Sequence, residues 1–295
     1  MVRACGKWGE NMKKEKFSLF DGTVHFILLI ITVCILYPIL HVVAVSFSGN
    51  YAIMANKVSF FPKDLTFGSY EHVLENAKIF TSFGNSVWYT ALGVVTNVIM
   101  TVTMAYPLSK DYLAGRGFFM KIIVFTLFFS GGTIPTYMLV KDLQLLDTVW
   151  SLILPNAIWT VQLIIMINFI RSIPASLCEA AYLDGASEFQ VLFKVIMPLL
   201  KASIATIALS YFMGHWNSYF IPMLYLFDAK KFPLQLILRS MLLEEKEQAL
   251  EMGSNLTPAG VKNATIVLAM IPVLVIYPLA QKYFIKGVMS GSIKE

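Results

Sequence analysis

Six long apolar runs separated by polar stretches organise this chain: 23–46, 86–108, 118–140, 149–170, 199–227 and 264–284. A helix needs about 20 apolar residues to cross a hydrocarbon layer about 30 Å thick, and every run is long enough. None shows the short apolar–polar alternation of a barrel strand, so the pattern predicts an all-α membrane protein with six transmembrane helices. A short amphipathic helix is expected over 69–79, opened by Ser69. Three runs are interrupted: by Gly131, Gly132 and Pro135, by Pro155 and Asn156, and by the sequence from Gly214 through His215, Trp216, Asn217 and Ser218 to Tyr219. Such breaks kink a membrane helix or turn its backbone toward a cavity. Wholly helical, the fifth run would measure about 43 Å. Its middle is too polar for lipid, so that face must look at protein or water.

Composition agrees with the pattern: 57% of the 295 residues are hydrophobic and only 14% are charged, more apolar surface than a soluble domain of this length could cover. The first run follows Lys13, Lys14 and Lys16 and exceeds the ~7–15 apolar residues of a signal peptide, so it is expected to stay as an anchor. Placing residues 1–20 inside as a tail, and 21–295 as the six-helix domain, puts 14 of the 23 Lys and Arg on the cytoplasmic side. The positive-inside rule then sets both termini and the loop 171–198 in the cytoplasm, with outer loops at 49–83 and 228–262. The net charge of +5 follows from this bias and calls for no nucleic acid. Cys5, Cys34 and Cys178 have neither metal-ligand spacing nor an even framework, and no metal is expected.

The loop 171–198 is a polar, small-residue insert between two apolar runs. Pro174 suits the start of a short helix over 175–184, and Gly185 suits a left-handed C-terminal cap. Ser187 with Gln190 forms a capping-box pattern for a second helix to about Ile196, and Pro198 is placed to open the next span. The expected product is a helix-turn-helix on the cytoplasmic face. Ala180 and Ala181 would make part of it slim enough for a cleft, and Glu179, Asp184 and Glu188 would offer charge to a partner. On spacing alone, a capped surface loop explains the insert equally well. His215 is read either as a helix-packing hydrogen bond or as part of a pathway in which Trp216 and Tyr219 stack on sugar rings and Asn217 bonds hydroxyls.

No phosphate-binding Gly-rich loop occurs, nor a nucleophile triad, His-Glu-x-x-His or paired carboxylates, so no catalytic residue is assigned and the chain is not read as an enzyme. No Asp or Glu falls within the six runs, which argues against an ion-coupled secondary transporter.

Glu179-Ala-Ala, three residues, Gly185, nine residues and then Val195-Ile-Met-Pro198 resembles the signature loop of the membrane subunits of bacterial ABC importers. Val195 and Met197 stand where that family usually has Ile and Leu. The surroundings resemble the carbohydrate branch, in the maltose-type permease whose C-terminal tail reaches the ATPases: 130–137, 169–174, 184–187, Trp216-Asn217 and 291–294. The resemblance runs from Phe20 onward. It implies a type I ABC importer permease fold, with Glu179, Ala180, Ala181, Asp184, Gly185 and Pro198 on the ATPase-coupling loop and Ser292 and Lys294 on the tail. It also implies a second homologous permease, a dimer of ATP-binding subunits holding ATP and magnesium, and an extracytoplasmic solute-binding protein that contacts the 228–262 loop. The chain itself would hold no cofactor. The cargo would be a carbohydrate, more readily an oligosaccharide, moved across the plasma membrane by alternating access. A permease for another solute such as a peptide is the alternative.

Overall fold

The structure is a computed structural model that describes the backbone of residues 19–243 and 257–292 and the side chains of 20–241 and 257–278. Among the described residues, three unbroken helices have the length and composition of a span: α1 (Leu19–Ser46), α4 (Ala77–Ser109) and the last helix, Pro258–Ser292. The other three spans are bent pairs. α5 (Arg116–Phe128) and α6 (Thr133–Asp142) meet at 115°, α7 (Val149–Ile153) with its 3-10 extension meets α8 (Thr160–Arg171) at 57°, and the helical run 188–199 meets α12 (Lys201–Trp216) at 82°. The small elements α2 (Asn50–Met54), α3 (Gly68–Glu75), α9 (Ala175–Leu183), α10 (Glu188–Gln190), α11 (Met197–Leu199), α13 (Phe220–Tyr225) and α14 (Leu234–Leu243) cover the ends, and the last helix is α15. With each bent pair counted as one span, the described residues form six.

The interruptions seen in the sequence are real breaks. Gly132 sits at φ 83° and ψ 170°, a region essentially reserved for glycine, and Pro135 follows in the first turn of α6. The fifth run is not one 43 Å helix: α12 ends at Trp216, residues 217–219 leave the helix, and α13 resumes at Phe220. The amphipathic helix expected over 69–79 stops at Glu75. Asn76 takes over as cap of α4, its Oδ1 accepting from the backbone N–H of Lys78 at 3.0 Å and of Ile79 at 3.4 Å. Helix α4 therefore begins inside the stretch expected to be outer loop, and α15 begins at Pro258 rather than near 264.

Between membrane helices there is little water to release, so close packing and hydrogen bonds must hold them together. Helix α4 supplies a buried seam of small and polar residues every three or four positions: Ser82, Ser86, Thr90, Gly93, Asn97 and Thr101. Along it α12 packs closely. The Thr101 and Tyr211 hydroxyls lie 2.6 Å apart, and His215 Nε2 lies 3.2 Å from Asn97 Nδ2. A Cβ at Gly93 would fall 2.6 Å from the His215 ring, so the approach requires glycine there. At the end of the bundle where α4 begins, the segment 226–234 is stapled down. Asn85 Nδ2 donates to the Lys230 carbonyl at 2.8 Å, the backbone N–H of Leu234 donates to Ser86 Oγ at 2.8 Å, and Asp147 pairs with Lys231 at 2.5 Å.

Candidate functional site

Helix α9 starts after Pro174 and ends at the Asp184 cap, with Gly185 at φ +82°. Backbone N–H groups of Gly185 and Ala186 return to the carbonyls of Tyr182 and Ala181 at 3.0 and 2.9 Å, closing the helix end. The capping box then opens the second helix: the Gln190 backbone donates to Ser187 Oγ and the Ser187 backbone to Gln190 Oε1. This helix passes through a π-helical turn at Val191–Ile196, a form that recurs at functional sites. Pro198 does not open the next span. It lies inside the run, and the break falls at Leu200.

The loop is anchored from below. Cys178, Ala181, Tyr182 and Ala186 pack on the main core, where Val191, Leu192 and Ile196 meet Val102 and Ala105 of α4 and Met166 of α8. Ala181 thus faces its own chain, whereas Glu179, Ala180, Asp184, Gly185 and Pro198 are exposed. Glu188 departs from the expectation that it offers charge to a partner. Its carboxylate accepts from the phenols of Tyr106, of Tyr112 at 2.6 Å and of Tyr182 at 2.8 Å. Burial works against its ionisation, but those three hydrogen bonds and the nearby Lys110 charge outweigh it and hold the carboxyl below its ordinary pKa. Its hydrogen bond to Tyr112, together with burial, pushes that phenol's pKa up. Lys110 lies over the rings of Tyr106 and Tyr182, and Asp111 receives Arg171 at 2.6 Å, so the short 110–115 loop is tied to the start and the middle of the insert.

The outward face of the insert carries large apolar side chains among its charged ones. Leu183 is 89% exposed and Phe189 74%, and Leu177 and Phe193 also face out. The motif reading passed over them because it weighed the small and charged residues.

The four candidate pathway residues divide. His215 points into the α4 seam, and Trp216 is 2% exposed, its indole N–H donating to the Ala269 carbonyl at 3.1 Å. Trp216 is therefore held by packing against the last helix, and it also lines the groove onto which Asn217 and Tyr219 open. Asn217 and Tyr219 line an open groove of about 490 Å³ with Gln235 and Arg239. The Lys294 of the tail and the Ser292 side chain lie outside the described residues, as does most of the outer loop's acidic stretch.

A bundle of straight and broken apolar spans with a helical loop packed at one end defines an integral membrane protein. Residues 112–290 match the family of binding-protein-dependent transport system inner membrane components, and the chain belongs to that family. It is 40% identical over 285 residues to the polygalacturonan/rhamnogalacturonan transport system permease protein YtcP of Bacillus subtilis, covering 95% of this chain and 99% of that one. It is 41% identical over 261 residues to the protein LplC of the same organism, covering 87% and 88%. The crystal structure of a bacterial ABC transporter involved in the import of the acidic polysaccharide alginate contains a similar chain. The TM-score is 0.86 at 38% identity, and 91% of this chain and 99% of that one are covered. The protein is thus a permease subunit of the inner membrane and not an enzyme.

Proposed function

We propose that this chain is one permease of an ATP-driven importer for oligosaccharides that carry uronate units. The reading of the cargo rests on the relatives: both the polygalacturonan system and the alginate importer are named for carboxylate-bearing polymers. The partners are a second homologous permease, a dimer of ATP-binding subunits that holds ATP and magnesium, and an extracytoplasmic solute-binding protein. The termini and the insert 171–198 face the cytoplasm.

The insert couples the engine to the spans. Its exposed apolar residues, Leu183 and Phe189, seat in the ATP-binding subunit together with Glu179, Ala180 and Gly185. Its buried side is locked to α4 and α8 through the core and the Glu188 cluster. The single observation behind this reading is that the same short segment is fixed inside and presents Leu183 and Phe189 outside. Closure of the ATPases then moves the spans as bodies and exchanges outward for inward access. The Ser292–Lys294 tail makes a second contact with the ATPases.

The test is uptake by proteoliposomes containing both permeases, the ATPases and the binding protein. ATP-dependent accumulation of a short oligogalacturonate supports the proposal. Accumulation of peptides instead, or flux through this chain alone without ATP, overturns it.

A further inference from the structure

Helix α12 has two unlike faces. On one, Ala205, Ala208 and Phe212 border a cavity of about 540 Å³ lined almost wholly by apolar atoms, the surface suited to lipid tails. On the other, Thr206 Oγ1 and Ser210 Oγ donate to carbonyls one turn back, as does Asn217 Nδ2 to Met213 at 2.8 Å. This polar stripe leads to the break in span five, where the 490 Å³ groove opens between α12, α14 and α15. Small-molecule sites fall in this size range.

At the groove Arg239 stands over the Tyr219 ring, its guanidinium carbon 4.5 Å from the ring centroid. Among the described residues it has no carboxylate partner. An arginine beside membrane spans is costly unless it faces water or an anion. The aromatic contact holds the guanidinium plane by cation–π attraction, and among the described residues no hydrogen bond occupies its N–H edge. Gln235 lies one turn before it on α14, also lining the groove, and Asn217 keeps its amide oxygen as an acceptor. Helix α14 is itself rigidly placed, because Leu234, Leu238 and Met241 are buried in the cluster formed with α3 and α15.

We infer that this groove is a carbohydrate subsite in which Arg239 grips the carboxylate of a uronate unit and Asn217 and Gln235 bond its hydroxyls. The planar guanidinium fork matches a carboxylate with two parallel hydrogen bonds, a match an ammonium cannot reproduce. Tyr219 sets the fork. The inference rests on the proposed cargo class and adds the group that recognises its charge.

The test compares unmodified complex with Arg239→Gln and Arg239→Lys complexes, each with all partners in proteoliposomes. The substrates are a short oligogalacturonate and the same oligomer with its carboxyl groups reduced to alcohols. Arg239→Gln is expected to lower uptake of the acidic oligomer at least tenfold while leaving the neutral one within about twofold, with Arg239→Lys intermediate. Equal loss for both oligomers, or failure of the variant complex to assemble, overturns the subsite and assigns Arg239 to packing or to a contact with the second permease. Full uptake of the acidic oligomer by Arg239→Gln also overturns it, while the cargo class stands. If the unmodified complex imports no acidic oligomer, the cargo class itself falls.

Discussion

Gly185→Val is the substitution that separates the fold of this chain from its coupling. Gly185 holds φ +82°, and a Cβ built there has no heavy atom within 4 Å, so the whole effect is backbone strain and not collision. A non-glycine residue in the left-handed region costs about 1–2 kcal/mol. Strain of that size shifts the population of correctly angled loop by roughly five- to thirtyfold if the chain escapes it by re-angling α9 against the 188–199 run. The spans lie elsewhere, so insertion should be intact and the unfolding temperature in detergent should fall by only a few degrees. Uptake by the assembled importer is expected to drop about tenfold or more while the partner ATPases go on hydrolysing ATP. Gly185→Asn is the control, because asparagine tolerates this conformation and should recover most of the uptake. If Gly185→Val shows the expected stability loss yet keeps uptake within twofold of the unmodified complex, the loop angle does not govern coupling.

Two further outcomes follow from the ion and hydrogen-bond networks. Glu188→Gln weakens three phenol hydrogen bonds to a carboxylate. Allowing for its solvent exposure, the expected loss is about 1–2 kcal/mol in thermal unfolding, with uptake reduced more than ATPase activity. Hydrogen bonds from Lys231 and from the backbone N–H groups of Phe227 and Asp228 hold the Asp147 carboxyl below its ordinary pKa. A depressed folded pKa gives stability that is present above the unfolded pKa, about 4, and is lost as pH falls through the lower folded value. The Asp147→Asn variant should therefore be less stable than the parent at neutral pH, and the gap should close on acidification. A gap that is constant with pH contradicts this.

The spans and the caps were legible because their signals are local. Apolar length marks a membrane crossing, and Ser187 with Gln190 or Gly185 after Leu183 marks a helix end within four residues. The polar run Gly214–Tyr219 was harder to read as a site because successive helical residues point about 100° apart. His215 consequently meets α4, Trp216 meets α15, and Asn217 faces the groove. The seam from Ser82 to Thr101 is present in the sequence as a three-and-four repeat of small residues, but a strongly apolar run masks it. The Glu188 cluster joins Tyr106, Tyr112 and Tyr182, and Arg239 meets Tyr219 across a chain reversal. Pairings of this kind belong to the fold and leave no local pattern.

The insert between spans four and five is proposed as the joint to the ATPases. Its most direct test places a single cysteine at Leu183 in a chain whose Cys5, Cys34 and Cys178 are replaced by serine, and measures cross-linking within the assembled importer by a short thiol-to-amine reagent. A cross-link to the ATP-binding subunit is expected, with loss of ATP-driven uptake once it forms. Cross-linking to the extracytoplasmic binding protein, or none to the ATPase in a complex that still transports, would contradict it.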